Sequence, residues 1–176
     1  ARTNIAEVLG ALQFLPGWTC QRWNNRWHEN NPTDDELTKF YCRSAMPGVW
    51  GISEDLSKVD ARQLGVIRRE VNHYRKLNSL KSSGMWDIHY PQENADIAAI
   101  TFYDGDRSQA AVLVFRWNAE GALKTAIPLN DLTGENYHIQ DVDTGFKIDL
   151  NRNKELPLQL HSEQLSALYF IEPSLN

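Results

Sequence analysis

The fold of this chain is decided by residues 17–56, GWTCQRWNNRWHENNPTDDELTKFYCRSAMPGVWGISEDL. Two short apolar segments lie in it, at 18–22 and 49–52, and each leads into a polar, turn-rich loop that a helix follows. The order of strand, loop and helix, repeated twice, is typical of an α/β protein with parallel strands. The second segment is apolar throughout, which predicts a strand covered on both faces.

Three amphipathic helices are predicted around these strands, at residues 5–15, 34–45 and 58–78. Asn4 and Thr33 are the expected N-caps of the first two, because each is followed three residues later by a glutamate. The apolar face of the first helix consists of Ile5, Val8, Leu9, Leu12 and Leu15. The expected buried stripe of the third helix is Leu64, Ile67, Val71, Tyr74 and Asn78, with Leu77 beside it and with Arg and Glu on the other face.

After the polar segment 79–84 the sequence changes to short β-branched and aromatic runs separated by turns. Eight strands are predicted, at 85–90, 96–103, 109–117, 122–128, 136–142, 145–150, 156–160 and 165–171. Strands at this spacing without helices indicate an antiparallel sandwich or barrel. Residues 97–100 and 112–115 are apolar on both faces, which predicts central strands. The predicted domains are therefore 1–82 and 83–176.

The first domain is too small to bury its own apolar faces. Two parallel strands leave unpaired edges, and a complete barrel of eight strand–helix units needs roughly 250 residues. The sequence therefore predicts an α/β remnant, the last strands and helices of a TIM-type (β/α)8 barrel, followed by an all-β antiparallel sandwich. On this interpretation the chain is a piece of a longer protein, and its start at Ala1 without an initiator methionine fits that expectation.

Composition excludes several classes of partner. The net charge is −5, and a negatively charged chain does not attract a polyanion, so no nucleic-acid partner is expected. No apolar run approaches the roughly 18 residues of a membrane span, so no membrane partner is expected either. The histidines lie without ligand spacing to Cys or acidic residues, which predicts no metal and no cofactor. Cys20 and Cys42 are interpreted as buried thiols, with a single disulfide as the alternative.

The stretch resembles the end of the catalytic barrel in melibiase-type α-galactosidases, glycoside hydrolase families 27 and 36. In that family a Trp-Asn-Asp-Pro-Asp-Met loop follows the seventh strand, a Thr-x-x-Glu helix start comes next, and the eighth strand ends in Ile-Ser-x-Asp-Leu. Here the matching segments are WNN at 23–25, TDDE at 33–36 and RSAMPGVWGISEDL at 43–56. A long helix and a β-sandwich follow in the family, whose L-x-x-L-x-x-x-x-Y segment is similar to LNDLTGENY at 129–137.

The resemblance implies retaining hydrolysis of α-galactosides or related α-linked sugars. That reaction needs two carboxylates roughly 5–5.5 Å apart, which in the family follow strands four and six. Since this chain resembles the part after strand six, no catalytic residue is assigned to it, and it is expected to be inactive alone. Whether the chain by itself is an enzyme stays open. The compartment also stays open, with a secreted or periplasmic parent as one alternative.

The residues that would bind substrate follow from the same resemblance. They are Trp23, Asn24, Asn25, Trp27, His28 and Asp55. Indole faces would stack on a pyranose ring while the polar side chains bind hydroxyls. Trp27 stands where the family has an aspartate that helps to hold the sugar, so galactose specificity stays open. The structural alternative is that the tryptophans pack the loop and that Asp55 caps the following helix.

Two other functions stay open from the sequence. One is a non-catalytic carbohydrate-binding or interaction module that uses the sandwich, and the other is a sandwich that only braces the barrel. The expected partners are a carbohydrate in the intact parent, and either a second copy or the missing part of the barrel to cover the apolar helix faces.

Overall fold

A computed structural model describes residues 2–15, 19–24, 34–53, 55–90, 97–117, 121–150 and 154–174. The chain forms two compact units, Ala1–Lys76 and Leu77–Asn176. In chain order, the elements that begin in the first unit are α1 (Arg2–Leu12), β1 (Gln21–Asn24), α2 (Asp35–Ala45), β2 (Val49–Ile52), a 3-10 helix (Leu56–Lys58) and α3 (Ala61–Lys81). β1 and β2 pair in parallel, with Gln21 opposite Val49 and Asn24 opposite Ile52.

Helix α1 confirms most of its predicted apolar face but not the last residue. Ile5, Val8, Leu9 and Leu12 are almost fully buried, whereas Leu15 is 51 % exposed. The helix ends at Leu12, and the backbone N–H of Phe14 donates a hydrogen bond to the carbonyl of Ala11 at 3.0 Å. The placement of Leu15 in the core was therefore wrong. Asn4 lies inside the helix rather than at its N-cap.

Helix α2 begins one residue later than its capping sequence suggests. Its N-cap is Asp34, whose Oδ1 accepts a hydrogen bond from the Leu37 N–H at 2.7 Å, while Thr33 lies outside the described residues. Asp35 and Glu36 occupy the first turn, where acidic side chains offset the partial positive charge of the helix end. The buried side chains of the helix include Phe40, Cys42 and Ala45, together with Arg43.

The buried stripe of α3 differs from the predicted one. Its most buried side chains are Gln63, Val66, Ile67, Glu70, Leu77, Leu80 and Lys81, while Val71 and Tyr74 are half-buried and Asn78 is exposed. Ile67 alone of the predicted stripe is among the most buried. The placement of Glu70 on the outer face was wrong. Glu70 is buried and forms an ion pair with the buried Arg43, which compensates for the loss of hydration of its carboxylate.

Strand β2 is less buried than an all-apolar strand suggests. Val49 is 41 % exposed, and residues 50–52 are half-buried. Among the described strands β2 pairs only with β1, so no described strand pairs with its other edge. The prediction that both faces are covered was therefore wrong for the described part of the chain.

The second unit contains all eight predicted strands. They are β3 (Met85–His89), β4 (Ile97–Tyr103), β5 (Ala110–Arg116), β6 (Leu123–Pro128), β7 (Tyr137–Asp141), β8 (Lys147–Leu150), β9 (Glu155–Leu160) and β10 (Ser166–Pro173). One antiparallel sheet has the order β3-β4-β5-β10-β7-β8, and β6 and β9 form a second, two-stranded sheet. Every residue of β4 and β5 is buried, which confirms the prediction that both are central.

Inward-facing side chains of the two sheets form one hydrophobic core. Ile97, Val112 and Ile139 of the larger sheet belong to the same buried cluster as Ile127 and Leu158 of the smaller one. The alternation of buried and exposed residues along β9 places one face on this core and the other in solvent. The second unit is therefore an antiparallel β-sandwich, as predicted.

Candidate functional site

The candidate site lies where the parallel strands β1 and β2 end. The N–H of Ser53 donates to the carbonyl of Asn24 at 3.0 Å, so the ladder continues to the last residue of β1. The carboxyl ends of both strands are therefore neighbours. In α/β proteins with parallel strands, ligands bind at this end of the sheet.

Asn24, predicted to bind substrate, is used internally by the fold. It is only 3 % exposed, its Nδ2 donates to the carbonyl of Tyr41 at 2.9 Å, and its Oδ1 accepts from Trp50 Nε1 at 2.6 Å. These two bonds join the end of β1 to α2 and to β2. In this geometry Asn24 positions the strand end, and its amide is already engaged on both sides.

Trp50 is held from a second side by α3. Its ring meets the Tyr74 ring edge-on, at 5.5 Å between centroids and 87° between planes, an arrangement that aromatic pairs favour. The backbone N–H of Trp50 donates to the Tyr74 hydroxyl at 3.1 Å. Together with the Asn24 bond, these contacts fix β2 against its following helix and leave little freedom at the strand end.

Among the predicted site residues that the structure describes, Trp23 offers an exposed aromatic ring to a ligand. It lies directly opposite Gly51 in the parallel register and is 53 % exposed. A Cβ added at Gly51 would come within 3.0 Å of three atoms of the Trp23 ring. The absence of a side chain at Gly51 thus lets the six-membered ring of the indole approach β2 closely while Trp23 remains exposed to solvent.

Asp55 caps the short helix that follows β2. Its Oδ1 accepts hydrogen bonds from the Ser57 hydroxyl at 2.6 Å and the Ser57 N–H at 3.1 Å, and Lys58 Nζ lies 3.6 Å from Oδ2. The Ser57 hydroxyl, followed by the Ser57 N–H, lowers the pKa of Asp55. The capping alternative therefore has direct structural support, although the helix that Asp55 caps is the 3-10 helix and not α3.

The remaining predicted site residues, Asn25, Trp27 and His28, lie outside the described residues. Of the six, the structure places Trp23 and Asn24 side by side at the end of β1, and Asp55 in the loop after β2. Substrate binding by these residues stays a prediction.

Beneath the site is an ion pair that sequence reasoning missed. Arg43 Nε and Nη2 donate to the Glu70 carboxylate at 2.9 and 3.0 Å, and neither side chain is more than 2 % exposed. Burial would raise the pKa of Glu70, but the Arg43 charge and the His73 imidazole, 3.3 Å away, hold this pKa below its usual value. The pair joins α2 to α3 and so supports the helices that follow both strands.

Neighbouring Cys42 is buried and, like Cys20, is a free thiol, which confirms the interpretation of the cysteines from the sequence. Burial, with a smaller contribution from the Glu70 charge, raises the pKa of Cys42 well above its usual value. A neutral thiol of this kind is a weak nucleophile.

No group of three His, Cys, Asp or Glu side chains in the described segments is placed to hold a metal ion, and none of the described helices is long and apolar enough to cross a membrane.

Comparison with known proteins gives a result from structure and none from sequence. No protein-family model matches the chain, and no curated protein is detectably similar. The structure matches the galactosidase domain of the α-galactosidase–sucrose kinase AgaSK with a TM-score of 0.72 and 17 % identity over 96 % of this chain. It also matches a variant of the GH36 α-galactosidase AgaA from Geobacillus stearothermophilus, crystallised with raffinose, with a TM-score of 0.63 and 23 % identity over 76 % of the chain.

The fold is that of part of a GH36-type α-galactosidase. The resemblance drawn from the sequence is thereby confirmed at the level of the fold. A further match is a putative α-N-acetylgalactosaminidase from Bacillus halodurans, with a TM-score of 0.54 and 14 % identity over 80 % of the chain. The chain spans 24 % of the AgaSK chain, 19 % of the AgaA chain and 31 % of the Bacillus halodurans chain.

Proposed function

We propose that this chain is the C-terminal part of a retaining glycoside hydrolase that acts on α-galactosides or related α-linked sugars. The observation that carries the proposal is the structural likeness to the AgaSK galactosidase domain, which extends over 96 % of the chain and thus includes both units. The AgaA structure was solved with raffinose, which gives the substrate class to test first.

The first unit would then be the end of the catalytic barrel. Each of its parallel strands is followed by a helix, as in a (β/α)8 barrel. β1 and β2 form a sheet of only two strands within the described chain, and Val49 and Leu56 are both more than 40 % exposed. The remaining strands of the barrel would pair with the open sheet edges and cover these side chains. They would come from sequence outside this chain.

The same assignment places the reaction chemistry elsewhere. Retaining hydrolysis needs a nucleophile and a general acid/base on opposite sides of the anomeric carbon. Neither is proposed in this chain, since in the resembling family both follow earlier strands. The role proposed for the chain is to form one wall of the sugar pocket, and the isolated chain is proposed to be inactive.

Trp23 is the residue that we propose contacts the sugar. It is exposed, it lies next to the end of β1, and its ring lies close to Gly51, its partner in the β1–β2 register. Asn24 would act through the position of the strand end, because both sides of its amide are engaged. Asn25, Trp27 and His28 follow in sequence and are proposed to line the same pocket. Asp55 already uses its carboxylate to cap the 3-10 helix. Any contact of Asp55 with substrate would be made by this same carboxylate.

The proposal is tested by measuring hydrolysis of a nitrophenyl α-galactoside and of raffinose. The 176-residue chain is compared with the full-length protein that contains it. We expect turnover only by the full-length protein. In that protein Trp23→Ala is expected to raise KM more than tenfold, and Trp23→Phe to retain most of the affinity because a flat ring is kept.

Phe14→Ala is a suitable control, because Phe14 is an aromatic residue that is 85 % exposed and lies in the segment that enters β1, not in the one that leaves it. It should leave KM unchanged. Turnover by the isolated chain would contradict the assignment of the carboxylates to other sequence. Hydrolysis by the full-length protein with an unchanged KM in the Trp23→Ala variant would contradict the role of Trp23.

A further inference from the structure

The β-sandwich contains a cleft that the proposed function does not use. Its volume is about 560 Å³, within the range of roughly 300–1,000 Å³ that is typical of small-molecule sites. Residues from both sheets line it, with Thr125 and Leu158 on the smaller sheet and Ile148 and Tyr169 on the larger. The cleft is therefore a gap between the two layers of the sandwich that opens to solvent.

One wall of the cleft is an exposed aromatic ring on a rigid turn. Phe146 is 64 % exposed and follows the turn between β7 and β8. Its N–H donates to Thr144 Oγ1 at 3.1 Å, and its carbonyl accepts from the Asp141 N–H at 3.0 Å. The turn is closed by the Gly145 N–H, which donates to the Asp141 carbonyl at 2.9 Å. These bonds fix the backbone that carries the ring, so the turn itself does not have to be ordered on binding.

The rim of the cleft is polar and carries both signs of charge. Lys124, Gln159 and His161 lie on one side and Asp141 on the other. The hydrogen bonds that the Asp141 carboxylate accepts within the described chain, from the N–H groups of Asp143 and Thr144, both use Oδ1. Its Oδ2 is therefore available to accept a bond from a ligand hydroxyl.

This combination of features indicates a neutral polyhydroxyl ligand. A charged ligand would meet a like charge on one side of the rim, whereas sugar hydroxyls both donate to a carboxylate and accept from an amide or ammonium group. The C–H face of a pyranose is apolar enough to pack on a phenyl ring and on the Leu158 and Ile148 floor. We infer that this cleft, with Phe146 as its aromatic wall, is a second, non-catalytic carbohydrate site that binds a pyranoside unit.

The inference is tested with saturation-transfer NMR and calorimetry on the whole chain, using raffinose and methyl α-D-galactopyranoside. We expect saturation transfer to the sugar, and affinity reduced at least tenfold by Phe146→Ala and severalfold by Gln159→Ala. Because Phe146 and Gln159 are exposed, circular dichroism should be unchanged in both variants. Phe14→Ala, the same change at another exposed ring, should leave binding unchanged.

The remaining outcomes separate this site from the strand-end site. Binding lost in Trp23→Ala but kept in Phe146→Ala would assign the sugar to the strand ends and overturn the inference. Binding of an apolar dye that Phe146→Ala abolishes, without any sugar binding, would identify the cleft as an apolar contact surface and also overturn it. A galactomannan that binds while the free sugars do not would keep the site and assign it to polymer chains.

Discussion

Replacement of Glu70 by glutamine should destabilise the chain more than any conservative change on its surface. The Glu70→Gln variant keeps the shape of the side chain but leaves the Arg43 guanidinium, 0 % exposed, without its carboxylate. Loss of one partner of a buried ion pair typically costs about 3–5 kcal/mol. For a unit of 60–100 residues, each kcal/mol lowers the melting temperature by about 4–8 °C, so a decrease of at least about 12 °C is expected.

The opposite change, Arg43→Met, should lower the free energy of unfolding by less than Glu70→Gln does, and its effect should depend on pH. A buried glutamate without its cation can take up a proton, whereas arginine stays charged. The pKa of Glu70 in the folded variant would then be raised above its unfolded value, so the folded state binds more protons. Its stability should therefore rise as the pH falls from 7 to 5, by at most about 1.4 kcal/mol per pH unit. Glu70→Gln should show no such rise.

Urea unfolding followed by tryptophan fluorescence at pH 7 and pH 5 measures both effects. Asp35→Asn is the matched control, because it removes the carboxylate from an exposed ion pair with Arg62 in the same unit, and it should cost no more than about 1 kcal/mol. A loss below 1 kcal/mol for Glu70→Gln would refute the reasoning. So would an Arg43→Met variant whose stability does not respond to pH.

Three further predictions concern the same unit. Asn24→Ala should lower the free energy of unfolding by about 1–3 kcal/mol, measured by urea titration, because it removes the acceptor of the half-buried Trp50 indole N–H and the bond to the Tyr41 carbonyl; an effect below 0.5 kcal/mol on this scale would contradict the positioning role. Gly51→Val should displace the Trp23 ring and so red-shift and quench its fluorescence, and an unchanged spectrum would argue against the contact. Cys42 should resist a thiol reagent at pH 8 until denaturant is added, and rapid modification of both thiols in the native state would disprove its burial.

The wild-type chain should also lose stability in acid. The pKa of Glu70 in the folded state lies below its value in the unfolded chain, so its contribution is complete above the unfolded value of about 4.3 and is lost as the pH falls through the folded pKa. Unfolding at pH 5, 4 and 3 measures this loss, and Glu70→Gln should abolish the corresponding part of the pH dependence. An identical acid profile in both proteins would contradict the assignment to Glu70.

The sandwich was predictable because each of its strands is short, apolar or alternating, and bounded by turn residues. Alternation of apolar and polar residues identifies both a strand and its buried face, as in β9, where every second residue is buried. The strand order was not predictable, since nothing local to β10 shows that it pairs with both β5 and β7. Pairing of that kind depends on the complementarity of whole faces, which single-strand patterns do not contain.

The helices of the first unit show where hydropathy alone is insufficient. The apolar stripe of α3 was placed on Leu64 and Val71 from the spacing of its apolar residues, which left glutamate on the solvent face, whereas Glu70 is buried against Arg43. A partner from another helix reverses the preference of a charged residue, and a one-dimensional pattern cannot show the partner. At the candidate site, Trp23 was identified through the Trp-Asn-Asn match at 23–25, but the internal role of Asn24 depends on Trp50 and Tyr41, which only the fold brings near.

The central position of β10 has a consequence for how the protein is made. Its partners β5 and β7 precede it in the chain and emerge earlier from the ribosome, but the larger sheet has no continuous hydrogen-bonded order until Ser166–Pro173 is inserted between them. Until then the edges of β5 and β7 that later pair with β10 expose unpaired backbone N–H and C=O groups. Completion of the larger sheet is therefore expected to wait for the synthesis of β10 and to be slow for its size, and chaperone capture of nascent chains that end before residue 166 should exceed that of chains extended past residue 173.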